Sequence, residues 1–301
     1  AIVARNWMYF IVVNIFFGIA DSLEGPAFSP MFAESVPPEK MAVAMSMIIM
    51  LWSIPGFYAK ALGGYLGDRL GGQQVMYIVL AMVVVSALWF YFSTEETLTE
   101  KKPFRLSAVL RNIKGFAKPE GRLLPFYLVS ILDRFGWQIN AGILVTMFTQ
   151  EYGFSLTEIG ILMTVEMVAM TLASIPIGKA LDRYSNRNGV MAALVLNVIV
   201  FGGYSLTSSY VALIALQLVK GVTVGLWDTS IMLYQNKIVP ERERGKTFGN
   251  INGIKGLVAI PAPFIGAILF GYIGFKGVFA TSAFIVGLAL LASTRLVEPK
   301  L

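Results

Sequence analysis

Nine apolar stretches constrain this chain more than any other feature, each about as long as the 20 or so residues a helix needs to cross a hydrocarbon layer roughly 30 Å thick. They run near 7–33, 41–66, 73–93, 123–150, 156–180, 188–207, 209–236, 246–272 and 275–294. Only 14% of the 301 residues are charged and 56% are hydrophobic, against about 25% charged in an ordinary soluble domain. The sequence therefore predicts an all-α, polytopic membrane bundle of nine transmembrane helices. Gly and Pro interrupt the runs freely (Gly25-Pro26, Pro30, Pro55, Pro176, Pro261, Pro263), which neighbouring helices tolerate by re-satisfying freed backbone groups. The short alternation of barrel strands is missing.

The chain has no Cys and no His. Disulfide frameworks, Cys or His metal sites, Ser-His-Asp triads and Cys nucleophiles each need a thiolate or an imidazole, so all are excluded. No cofactor, no metal and no enzymatic activity is expected. The net charge of +6 fits the bilayer better than nucleic acid. Threading nine helices alternately puts Lys40, the bases of the 94–122 connection, Lys179, Arg183, Arg187, Arg242, Arg244, Lys246, Arg295 and Lys300 on one side. Only Arg5, Arg69 and Lys276 fall on the other. By the positive-inside rule the first side is cytoplasmic, and with it the 94–122 loop and the C-terminus. The expected location is the cell (plasma) membrane.

An ungapped offset of 203 aligns special residues with one another: Gly18 with Gly221, Val36-Pro37 with Val239-Pro240, Gly63 with Gly266, Leu66 with Leu269, Gly71 with Gly274 and Val75 with Val278. The first three helices thus read as copies of the last three. If the unit is six helices, 123–301 is a complete C-terminal half and 1–93 holds the last three helices of an N-terminal half. Residues 94–122 link them, with an amphipathic stretch, Phe104 to Phe116, that suits a membrane-surface helix. On this reading three helices before Ala1 are missing and the chain is a fragment; a native nine-helix protein is the alternative.

The residues Gly178-Lys-Ala-Leu-Asp182-Arg183-Tyr-Ser-Asn-Arg187 resemble the loop signature G-x-L-a-D-R-x-G-R-K of the major facilitator superfamily of secondary transporters, with Ser185 and Asn186 where Gly and Arg are usual. The stretches 33–40 and 239–245 are similar to that family's connections after its fourth and tenth helices. A better signature match at 64–71 lies, by helix parity, on the side opposite Asp182 and is read as an outer helix end. The resemblance implies two halves rocking about a central site, and makes Gly178, Asp182, Arg183 and Arg187 a cytoplasmic gate in which Asp182 meets a helix N-terminus near Met41. The family's antiporter signature G-P-x-x-G-G is here Ala59-Lys60-Ala61-Leu62-Gly63-Gly64, without its Gly-Pro, which weakens drug export as the activity.

A charge at the centre of a spanning helix costs about 2.5–3.5 kcal/mol on insertion scales, so each one asks for a reason. Asp21 and Glu24 share a face of the first helix and read either as a proton carrier or as half of an ion pair. Asp133, Trp137 and Asn140 form one stripe of the fourth helix, with Arg134 and Gln138 beside it. Lys220, Trp227 and Asp228 share a face of the seventh. Glu166 and Lys255 are single charges of the fifth and eighth, and Lys255 reads as an anion binder, a partner of Glu166 or a proton donor. The third, sixth and ninth helices carry no core charge and are expected at the periphery.

The function expected is movement of a small organic solute by alternating access, proton-coupled, with the bilayer, the solute and protons as partners, no nucleic acid, and a monomeric protein. A channel or non-transporting sensor is the alternative, and an intramembrane aspartyl protease using Asp21, Asp133 or Asp228 a remote one. Without its first helix the fragment is not expected to transport unaided.

Overall fold

In an apolar solvent every backbone N–H and C=O must find its partner within the chain, so long apolar runs close into helices. The computed structural model describes residues 16, 41–93, 121–183, 185–240 and 244–297, and no strand occurs among them. The chain divides into two compact units, 1–106 and 107–301.

In the first unit, α1 (Met41–Leu70) and α2 (Gly72–Ser93) pack together. They meet at Gly71, whose φ of 88° lies in the left-handed region that favours glycine,. None of the residues of α2 is buried within the protein, and Met82, Val85, Trp89 and Phe92 all stand exposed, as side chains facing lipid do. The first predicted span, 7–33, lies outside the described residues except for Phe16, which is helical. Asp21, Glu24 and the 104–116 stretch also lie outside them.

The second unit starts with α3 (Leu124–Ile139), continues through the short α4 (Ile143–Thr146) and a π-helical turn (Met147–Glu151), and then runs α5 (Leu156–Arg183), α6 (Asn186–Leu206), α7 (Tyr210–Ile238), α8 (Arg244–Ala259) and α9 (Ala262–Ser293). Helix α5 packs on α7, α6 on α7, and α9 on both α3 and α6, while α8 lies against α3. The core between them is aromatic, with Phe126, Phe148, Phe201, Tyr204 and Phe279 all but closed to solvent. Close packing needs small residues: a Cβ on Gly221 of α7 would strike the Glu166 carbonyl of α5, and one on Gly266 of α9 the Ile139 carbonyl of α3.

Among the described residues, five stretches are long and apolar enough to cross a bilayer: Gly72–Ser93, Leu156–Leu181, Asn186–Leu206, Tyr210–Ile238 and Thr247–Ser293. The last covers 47 residues, about 70 Å as a straight helix and more than twice the hydrocarbon thickness. It breaks at Ile260–Pro261 and reverses its backbone at Gly274 (φ 66°, ψ −177°). Gly71 and Gly274 are the pair aligned by the 203-residue offset, and each takes a left-handed φ at a break between helical segments.

Two expected spans differ from single straight helices. The 123–150 run is broken at Asn140–Gly142, where Gly142 takes φ 81°. The 246–272 run is interrupted before Pro261, whose ring nitrogen has no hydrogen to continue the ladder.

Both ends of the second unit are tied. On the side where it begins, Arg187 donates from Nη2 to the Thr294 carbonyl at 2.7 Å and Tyr234 donates to the Val297 carbonyl at 2.9 Å. On the other side, Tyr152 donates to the Thr207 carbonyl and Tyr210 to the Glu158 carbonyl. Ser155 and Glu158 close α5 with a reciprocal capping box,.

Candidate functional site

Helical spacing puts Asp133, Trp137 and Asn140 on one face of α3, and Lys220, Val224, Trp227 and Asp228 on one face of α7. The fold turns these faces toward each other and adds Lys255 from α8. They enclose a cavity of about 490 Å³, lined also by Arg134, Gln138, Asn197 and the residues of the helix break, Ala141 and Gly142. Backbone that leaves the helical ladder at membrane depth is tolerated where it borders such a cavity. Here the break is stitched by hydrogen bonds from the Ala141 N–H to the Gln138 carbonyl and from the Ile143 N–H to that of Asn140.

The charges around the cavity fall into three groups. Lys220 is 8% exposed and its Nζ donates to Glu166 Oε2 at 2.9 Å, while lying 5.6 Å from the centre of the Trp137 ring. Glu166 therefore belongs with Lys220 rather than Lys255, and the pair joins α5 to α7. Asp133, 4% exposed, accepts a 3.0 Å hydrogen bond from Asn197 Nδ2. Arg134, Asp228 and Lys255 line the open space, and none has an opposite charge at ion-pair distance among the described residues. Lys255 is near enough to act electrostatically on Asp133, Arg134 and Asp228 alike.

Polar residues at this level also hold the bundle. Asn140 donates to the Gly136 carbonyl at 3.0 Å and to Ser282 Oγ of α9 at 3.1 Å, so it is cavity lining and packing contact at once. Trp137 meets Phe201 edge to face at 4.8 Å between centroids.

Of the residues expected to line a path, the structure gathers Asp133, Arg134, Trp137, Gln138, Asn140, Lys220, Trp227, Asp228 and Lys255 at one cavity, with Glu166 behind Lys220. Asp21 and Glu24 lie outside the described residues. Gly178 lies within α5, Asp182 and Arg183 form the end of that helix, and Arg187 donates to the carbonyl of Thr294, the residue that follows α9. Sequence reasoning missed Asn197. It is one of two Asn in the span 188–207, the other, Asn188, being its first residue, and the absence of charge there directed attention to the periphery.

A bundle of membrane-spanning helices around a polar cavity defines a membrane protein that handles a solute. The model of the Major Facilitator Superfamily matches residues 1–124 and 126–301, and the chain belongs to that family. It is an integral membrane transporter, set in a lipid bilayer and acting on a small solute, not an enzyme; family membership removes the protease alternative. The chain is 21% identical over 287 residues to the multidrug resistance protein MdtG of Citrobacter koseri, covering 94% of this chain and 70% of that one. Its likeness to MdtG of Salmonella typhimurium is the same in identity and coverage, over 288 residues. Among solved structures, a bacterial metal transporter superposes with a TM-score of 0.70 at 15% identity, over 98% of this chain and 76% of that one. A bacterial homologue of the iron transporter ferroportin, inward-facing, gives 0.66 at 16% identity, over 91% and 66%. A bacterial homologue of the human lysosomal transporter Spinster, inward-facing and unoccupied, gives 0.66 at 13%, over 98% and 79%. These likenesses establish the fold alone.

Proposed function

We propose that this chain carries the central site of a secondary transporter that moves a small organic solute by alternating access, coupled to protons. The observation that carries the reading is the cavity of about 490 Å³ lined by charges of α3, α7 and α8, of which Arg134, Asp228 and Lys255 have no ion-pair partner among the described residues. Buried charge is retained against its desolvation cost where a solute or water meets it. Asp133, Asp228 and the Glu166 of the ion pair supply carboxylates whose protonation changes the charge of the cavity, and so the relative free energies of its inward-open and outward-open states. Asp21 and Glu24, the acidic pair of the first predicted span, are candidate proton carriers on the same reading.

The division into 1–93, 94–122 and 123–301 goes with this reading, as does a monomer in the cell membrane with the loop and C-terminus cytoplasmic. Gly178, Asp182, Arg183 and Arg187 form the cytoplasmic gate. The MdtG relatives, named for multidrug resistance, support an organic solute of drug size in spite of the lost Gly-Pro.

The absence of cysteine makes the test direct. In reconstituted vesicles a Val224→Cys variant is treated with a membrane-impermeant thiol reagent from each side in turn. Alternating access requires labelling from one side or the other, exchanged when the pH gradient is reversed. Simultaneous labelling from both sides would identify a pore, and no labelling from either would refute a solute path through this cavity.

A further inference from the structure

Among the described residues, the cavity-lining charges with neither an ion pair nor a side-chain hydrogen bond are two cations, Arg134 and Lys255, and one anion, Asp228. Of the other charges, Lys220 is paired with Glu166 at 2.9 Å, and Asp133 accepts a 3.0 Å hydrogen bond from the neutral amide of Asn197 and lies within electrostatic reach of Lys255. Unpaired charges of both signs on one wall select against most solutes. A simple amine that satisfies Asp228 meets two cations, a simple acid that satisfies Arg134 meets Asp228, and a neutral molecule leaves all three desolvated. A solute carrying both an acidic and an amino group satisfies all three. Arg presents a planar fork that matches a carboxylate, and Lys255, within electrostatic reach of Arg134, Asp133 and Asp228, adds a second cation to the same space. Trp137 and Trp227 line the same space and give it aromatic, apolar surface, and a cavity of about 490 Å³ lies within the range that holds drug-sized molecules.

We infer that the solute is a zwitterion, its acidic group at Arg134 and Lys255, its amino group at Asp228, and an aromatic or aliphatic body between Trp137 and Trp227. This rests on the transporter reading and names the class of solute for the same site.

Four probes that share one body separate the possibilities: phenylalanine, N-acetylphenylalanine (acid only), phenylalaninamide (amine only) and N-acetylphenylalaninamide (neutral). Their binding to the purified full chain in lipid nanodiscs is read by calorimetry. Phenylalanine is expected to bind at least about tenfold more tightly than each of the others, because a site that leaves a buried charge unpaired rejects the analogue strongly. Arg134→Gln should erase the advantage over phenylalaninamide and leave that over N-acetylphenylalanine. Asp228→Asn should do the reverse. Equal binding of all four probes, no binding of any, a single-charge probe that matches phenylalanine, or variants that leave the ranking unchanged would each overturn the inference. The ranking of the unmodified protein decides even where a variant fails to fold. If Val224→Cys labelling alternates while the ranking fails, the solute class falls and the transporter reading stands; if labelling does not alternate, the transporter reading falls by itself.

Discussion

Removing one member of the Glu166–Lys220 pair should damage the protein far more than removing both. At 2.9 Å the gross attraction is about 6 kcal/mol at an effective dielectric near 20, and most of it offsets the desolvation of two side chains that are only 10% and 18% exposed,. Glu166→Leu leaves the Lys220 ammonium with only the Trp137 face, 5.6 Å away, a contact worth about 1–2 kcal/mol. Breaking such a pair from one side costs about 3–5 kcal/mol, so a loss near 3 kcal/mol is expected, or roughly 6–12 °C in melting temperature for a chain of this order of size. Lys220→Met should cost somewhat less, since Glu166 is the more exposed partner. The double variant should return to within about 1 kcal/mol of the parent, because an apolar pair of similar volume replaces the ions without their desolvation. Melting of the four proteins in one detergent, followed by tryptophan fluorescence, gives the coupling energy directly. A Glu166→Leu protein as stable as the parent, or a double variant less stable than either single one, would show that the pair is not the joint between α5 and α7.

Further outcomes follow from the same geometry. Gly221→Ala should lower the melting temperature by an amount equivalent to about 1–3 kcal/mol, since its Cβ meets backbone of α5,. Gly256→Ala, with nothing within 4 Å of the new Cβ, should be neutral or raise the temperature slightly; equal effects of the two would remove the close-approach argument. Gly274→Ala forces a side chain into φ 66° and should cost about 1–2 kcal/mol, measured as the loss of melting temperature against Gly271→Ala. Arg187→Gln should unfasten the end of α9, seen as faster hydrogen exchange at residues 291–297 with little change elsewhere,. Single cysteines at Lys276 and Arg295 should react with an impermeant reagent only from outside and only from inside respectively; labelling from the same side would refute the orientation drawn from the basic residues.

Much was legible in the residues alone. Apolar runs near 20 residues impose helices because lipid offers a peptide group no partner, and that rule acts segment by segment, without reference to the rest of the fold. The offset that pairs Gly71 with Gly274 was readable for the same reason, since a left-handed backbone selects glycine locally. The polar stripes of α3 and α7 followed from helical spacing, and with them Asp133, Trp137, Lys220 and Asp228. Local rules stop at the helix surface, however. Whether Lys220 or Lys255 meets Glu166 depends on the rotation of α5 against α7, which close packing at Gly221 determines. Asn197 reaches Asp133 because α9 packs on both α3 and α6, a contact that joins residues 64 positions apart in the chain. The break at Asn140–Gly142 is likewise a tertiary outcome: an apolar run can stay helical throughout, and here it opens beside a polar cavity. Sequence thus determined which groups fall within the apolar runs. Only packing decided which of them neutralise one another and which are left facing the cavity, because that depends on distances of a few ångströms between helices far apart in the chain.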